Sequence, residues 1–215
     1  MEKSNFDTDI NWFTKALNHN ENNEQAQALL SINFYCEENP DHAWGFIAKA
    51  MINTELSNFI EAEKTLNSID LIKNNSTQFL KAYYTEWARL YDGKNELEKA
   101  IEFYDKRIEI EPEQTGGYIF KGGILARLGR YEEAKKIHLQ ATKLEGNPEE
   151  AYLNLGLILR AELNLEEAQD AFENSLKLCS NYKEVEKNLE DVINALELNK
   201  KIKAIKTLQQ KHLKS

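Results

Sequence analysis

Only two cysteines, Cys36 and Cys179, occur in 215 residues, and neither lies in a CxxC or Cys/His ligand spacing. A disulfide framework and a zinc module are therefore not expected, and both residues read as buried thiols. Proline is confined to Pro40, Pro112 and Pro148, too few to interrupt a mainly helical chain. Apolar residues make up 41% of the sequence, yet no run approaches the roughly 18 residues of a membrane span. The opening MEKSNFDTDI has no basic segment followed by an apolar run, so no export signal is expected and the cytoplasm is the expected compartment. Cationic residues are in deficit: the net charge of -9 argues against a whole-surface attraction for nucleic acid.

What is present is a period. Gly122, Tyr131, Ala134, Ala141 and Leu144 reappear 34 residues later as Gly156, Leu165, Ala168, Ser175 and Leu178, and 34 earlier as Ala88, Leu97, Ala100, Arg107 and Ile110. A fixed period of this length marks a stack of repeating units. The clearest unit, residues 115–148, reads as two helices: Tyr118, Ile119, Ile124 and Leu125 recur at helical spacing, Gly129 closes the first helix, and Tyr131, Ala134, Ile137, Ala141 and Leu144 form the stripe of the second. A turn this short forces the helices antiparallel. Small residues at Gly122, Ala134 and Ala141 let their axes approach closely. Pro148 cannot continue the second helix and suits the first turn of the next.

Upstream the pattern weakens. Residues 41–76 offer Trp44 in the aromatic position, Ala48 in the small position, and Phe59, Ala62, Leu66 and Ile69 along a second helix. Counted from Trp44, Ala62 arrives two residues late, which predicts an insertion in the Glu55–Asn58 turn; Lys73–Ser76 adds a polar loop. Residues 7–40 give Trp12, Phe13 and Leu17, then Ala26, Leu29, Leu30 and Asn33, a degenerate terminal unit. Past Ser180, Val185, Leu189, Val192, Ile193 and Leu196 continue a helical frame. Leu198, Ile202, Ile205 and Leu208 form a second stripe out of phase with it, so a turn near Asn199 is favoured over one long helix whose apolar face rotates. Either way the segment caps the last unit.

These residues resemble the tetratricopeptide repeat. The likeness rests on Tyr118 and Tyr152 where the family favours an aromatic, on Gly122 and Gly156 as the small residue, and on the run Arg130 to Ala134 with its relatives Leu97–Ala100 and Leu165–Ala168. The resemblance implies an all-α, right-handed superhelical solenoid of antiparallel helix pairs, a single array over 1–215 with repeats at about 7–40, 41–76, 81–114, 115–148 and 149–182 and a capping helical segment at 183–215. It implies a non-catalytic protein-interaction module or adaptor. An inhibitory or immunity-type partner of another protein fits equally.

No catalytic constellation accompanies the repeats. His19, His42, His138 and His212 are dispersed, and His138 falls where neighbouring units carry Tyr104 and Phe172, which reads as packing. The acid pairs Glu132-Glu133, Glu149-Glu150 and Glu166-Glu167 fall at helix starts, where carboxylates suit the positive end of the dipole. Gly116-Gly117 and Gly122-Gly123 make no phosphate-binding loop. No enzyme activity, cofactor or metal is expected.

In such a family the first helices line the inner face. Carrying its groove positions across gives Asn11, Trp12 and Lys15; Phe46, Lys49 and Asn53; Glu86 and Arg89; Ile119, Phe120 and Arg127; Leu153, Asn154, Leu157 and Arg160; then Lys187 and Asn188 in the cap. The expected contacts are Lys15, Phe46, Lys49, Arg89, Phe120, Arg127, Asn154, Leu157 and Arg160, with Lys15, Lys49 and Arg89 in one shared position. The five cations would receive an acidic and apolar segment of a partner protein; alternatively they are solvated and paired with nearby Glu. Co-chaperones of the family grip a carboxylate terminus with a Lys, Asn, Asn, Lys, Arg set, whose slots here hold Thr85, Arg89, Phe120, Glu150 and Asn154, so only fragments of that clamp are present. The rival surface is the tail. Residues 198–215 carry six lysines and no acid, leaving -15 on the remainder, a pattern that suits nucleic acid or another acidic surface. Ile202, Ile205 and Leu208 could also support homo-oligomer formation.

Overall fold

The computed structural model describes residues 11–212, with side chains to residue 210. Residues 7–10 of the first expected repeat, and Lys214 with the Lys211 side chain of the basic tail, lie outside that range. Among the described residues every element is a helix; the one bridge, Gln114 to Glu145, is isolated. The chain divides into two compact units at Glu111/Pro112.

Unit 1 contains α1 (Trp12–Glu21), α2 (Gln25–Glu38), α3 (Ala43–Glu55), α4 (Phe59–Asn67), α5 (Thr77–Gly93) and α6 (Leu97–Ile110). Unit 2 contains α7 (Thr115–Arg127), α8 (Tyr131–Ala141), α9 (Pro148–Ala161), α10 (Leu165–Leu178) and α11 (Lys183–His212). Each odd-numbered helix up to α9 pairs with the one that follows it.

One turn joins every pair. Asn23, Ser57, Asn95, Gly129 and Leu163 all have φ between 58° and 75°. In each case the next residue's N–H reaches back to the helix carbonyl five residues before: Glu24 to His19, Asn58 to Asn53, Glu96 to Tyr91, Arg130 to Leu125 and Asn164 to Leu159, all at 2.8–2.9 Å. This left-handed closure satisfies carbonyls that the helix end leaves without a donor.

Counting from the turn residue brings the units into register. Seven residues before it stand Ala16, Ala50, Ala88, Gly122 and Gly156; five after it stand Ala28, Ala62, Ala100, Ala134 and Ala168, each fully buried. Nine after it a large buried side chain fills the interior of each pair: Ile32, Leu66, Tyr104, His138 and Phe172. The small residue is what admits the large one, since a β-carbon on Gly156 would come within 2.6 Å of the Phe172 ring.

Three expectations change on this count. The turn residues are 34, 38, 34 and 34 positions apart, so the Glu55–Asn58 turn holds no insertion. The four extra residues lie between α4 and α5, where Asp70 accepts the Ile72 N–H at 2.9 Å. The small residue of α3 is accordingly Ala50, not Ala48, and the aromatic aligned with Tyr118 is Phe46, not Trp44. In α2 the buried stripe is Ala28, Ser31, Ile32 and Cys36; of the stripe expected at Ala26, Leu29, Leu30 and Asn33, Leu29 packs half-buried against the core while Ala26 is exposed and Leu30 is 72% exposed. Third, no turn falls near Asn199. α11 runs unbroken for 30 residues, burying Val185 and Val192 against Leu165, Ala168 and Phe172 and leaving Leu198, Ile202, Ile205 and Leu208 exposed. No glycine or proline follows Asn199 in the sequence, so nothing in the backbone stops propagation.

Candidate functional site on the first helices

In unit 1, α1, α3 and α5 are successive first helices, and α3 packs against both of the others. A polar chain crosses them near their C-terminal ends. Asn20 donates to Glu55 Oε2 at 2.8 Å, Arg89 donates to Glu55 Oε1 at 3.0 Å, and the same guanidinium donates to Glu86 Oε1 at 3.0 Å. Glu86 is 5% exposed, and its second oxygen is buried with no donor. Burial pushes the Glu86 carboxyl above the ordinary carboxylate range, against the opposing pull of the Arg89 charge.

The expected cations do not stand together on this face. Lys15 and Lys49 hold the same position, eight residues before the turn, but Arg89 is two residues further along its helix, a rotation of about 200°. Lys49 turns toward α4, 3.9 Å from Glu61, and Lys15 lies over the Trp12 ring at 4.6 Å. The two-residue discrepancy is that of the insertion expected in the Glu55–Asn58 turn, which the structure does not contain. Phe46 packs against the core around Ala16, Ile32 and Ile52, as its alignment with Tyr118 requires, and Asn53 is buried, donating to the Lys49 carbonyl at 2.9 Å.

In unit 2 the first helices α7 and α9 pack together. Phe120 and Asn154 hold equivalent positions, as do Gly123 and Leu157. Phe120 is 48% exposed. One turn along the same helix, a β-carbon on Gly123 would meet nothing within 4 Å, so the helix surface beside the phenyl ring is open. Leu157 is half-buried against the α9/α10 core, and Asn154 is half-buried beside it. Arg127 ends α7 exposed. Arg160 donates to Asn188 Oδ1 at 2.5 Å and lies 3.3 Å from Asp191, both on α11. Ile119 and Leu153, expected in the groove, are buried in the core.

A family model described as tetratricopeptide repeat matches residues 82–114, 116–148 and 149–182. An uncharacterized protein of Methanocaldococcus jannaschii is 33% identical over 63 residues, 29% of this chain and 73% of that protein. The crystal structure of a tetratricopeptide repeat protein from Parabacteroides merdae superposes with a TM-score of 0.65 at 18% identity, covering 85% of this chain and 70% of that one. YrrB, described as a TPR protein with an unusual peptide-binding site, aligns with a TM-score of 0.53 at 19% identity over 77% of this chain and 84% of its own. The chain is a tetratricopeptide repeat protein.

The all-α tetratricopeptide solenoid fold is in general a non-catalytic scaffold for protein interaction. Among the described residues no three His, Cys, Asp or Glu side chains are grouped to hold a metal ion, and no helix is long and apolar enough to cross a membrane. Sequence reasoning missed two features of the tetratricopeptide face. In the sequence Gly123 is one half of a glycine pair, but Gly122 alone fills the packing position and the second glycine has no packing duty. Glu86, a groove position in the sequence, is buried and hydrogen-bonded to Arg89, which its spacing does not reveal.

Proposed function

We propose that this protein is an adaptor that holds a segment of a partner protein on the faces of its first helices. In unit 2 an apolar side chain of that segment sits over Gly123 against Phe120 and Leu157, and Asn154 hydrogen-bonds its backbone. The observation that carries this reading is the half-exposed Phe120 one helical turn from the open surface at Gly123. Covering an exposed aromatic is favourable by about 1 kcal/mol or more, and a glycine in a helix interior costs about 1 kcal/mol relative to alanine, so a residue that leaves the surface bare needs a use. YrrB's described peptide-binding site lends the tetratricopeptide fold, rather than these residues, to the argument. An acidic preference is less supported than an apolar one, because Lys49, Arg89 and Arg160 each have a partner within the chain.

Selection of a random peptide library on the full chain tests this. Peptides so obtained should bind Gly123→Leu at least about tenfold more weakly, with the helical circular dichroism unchanged. Affinity retained in both Gly123→Leu and Phe120→Ala would remove this face from the account.

A second reading rests on α11. From Leu198 to Gln210 all residues but Asn199 are exposed, and Lys200, Lys201, Lys203 and Lys206 flank the stripe of Leu198, Ile202, Ile205 and Leu208. Such a helix suits an anionic surface. Salt-sensitive binding of generic RNA that disappears on deleting 199–215 would support it; binding unaffected by the deletion would dismiss it.

A further inference from the structure

Two carboxylates in unit 1, Glu55 and Glu86, share the single guanidinium of Arg89. The two oxygens of Glu55 are occupied, one by Arg89 and one by Asn20. Glu86 is not so served: one oxygen takes Arg89, and the other, buried, takes nothing. An ionised carboxylate 95% removed from solvent with half its acceptor capacity empty is costly to the fold, and burial accordingly disfavours its charged form. The one lysine of α3, Lys49, is directed to Glu61 on α4 and does not relieve it. Arg89, by contrast, is 40% exposed along its side chain, so it can swing onto Glu55 and uncover Glu86. On the same helices, Leu17 and Met51 stand at the position equivalent to Arg89 and are only partly buried.

We infer that Glu86, with Glu55 beside it, seats a lysine or arginine side chain of the bound segment, whose neighbouring apolar residue lies on Leu17 and Met51. The inference rests on the reading of the first-helix faces as the partner-binding surface, and it reverses the charge expected of the partner from the sequence. The incoming cation supplies the donor that Glu86 lacks, and Arg89 moves to pair with Glu55 alone. A neutral side chain offers neither charge nor a sufficient donor, and an acidic one meets two carboxylates against one guanidinium.

Peptides selected on the full chain should carry Lys or Arg at a fixed place next to an apolar residue. Replacing that residue by norleucine, or Glu86 by Gln, should weaken binding about tenfold, and Glu86→Gln, which removes a buried charge while keeping the acceptor for Arg89, should fold as well as the parent. Arg89→Gln should tighten binding of the same peptides, because it removes the internal competitor; a merely structural Arg89 would weaken them. Peptides that lose affinity in Gly123→Leu but show no basic position, or are indifferent to Glu86→Gln, would overturn the cation seat and leave the unit 2 face standing. Failure to select any peptide would overturn both.

Discussion

The His138 imidazole occupies the space a β-carbon on Gly122 would need: the added carbon would come to 2.5 Å from both Cε1 and Nε2 of the ring. Gly122→Ala should therefore destabilise the protein by about 1–3 kcal/mol through overpacking. Its neighbour behaves in the opposite sense. Nothing lies within 4 Å of a β-carbon at Gly123, so Gly123→Ala should stabilise by up to about 1 kcal/mol through the gain in helix propensity. Urea denaturation of the two variants gives both signs, and equal effects at adjacent glycines would contradict the packing described.

Burial without a partner for Nδ1 lowers the His138 pKa from 6.5 to about 4. The unfolded chain then binds the proton more readily between those values. Stability contributed by the neutral ring is complete above about pH 6.5 and is lost as pH falls toward 4, an amount of about 3 kcal/mol at 1.36 kcal/mol per pH unit. His138→Phe, which installs the side chain found at Phe172, should flatten the pH dependence of stability over that window. An unchanged slope would show that the imidazole is not buried as described.

Leu163 closes the α9/α10 hairpin at φ 61°, where the equivalent residue of the preceding hairpin is Gly129. The left-handed region costs an L-residue roughly 1–2 kcal/mol, and with Leu163 77% exposed little burial is lost on replacement. Leu163→Gly should raise stability by about 1 kcal/mol, read as an increase in the denaturation midpoint. A fall would mean that the leucine makes contacts that outweigh the backbone strain.

The two halves of α11 should respond differently to truncation. Ending the chain at Glu197 removes a segment in which Leu198, Ile205 and Leu208 are each more than half exposed, and should change the stability of unit 2 by no more than about 0.5 kcal/mol. Val185→Ala or Val192→Ala removes side chains fully buried against α10 and should cost about 1–3 kcal/mol. Thermal melts of the three variants check this, and light scattering of the shortened chain reports whether the exposed stripe joins copies.

Much of the fold was legible because packing residues obey a period. Gly122, Ala134 and Ala141 announce a hairpin, and shifting by 34 residues finds its neighbours. The frame slips in the second pair, where Trp44 stands two residues before the aligned Phe46 and is easily mistaken for it; the four residues in excess of the period lie in the stretch between α4 and α5 that contains the polar Lys73–Ser76 loop. The turn residue is the better ruler, since φ must be positive there whatever the side chain, but Asn, Ser and Leu do not advertise it as Gly129 does. The groove was less legible for a related reason. Which way a long side chain turns depends on partners from other helices, so Lys49 going to Glu61 and Arg160 going to Asn188 were invisible in a linear reading. For α11 the change of apolar phase was visible, but a phase change alone does not separate a turn from a continuous helix whose far half is solvated.

The most direct test of the partner-binding face is site-specific photocrosslinking with a selected peptide. Benzoylphenylalanine at position 120, on a first helix, should capture the peptide, while the same group at position 139 or 178, where Leu139 and Leu178 are equally exposed on second helices, should not. Capture from 139 or 178 with none from 120 would contradict the account.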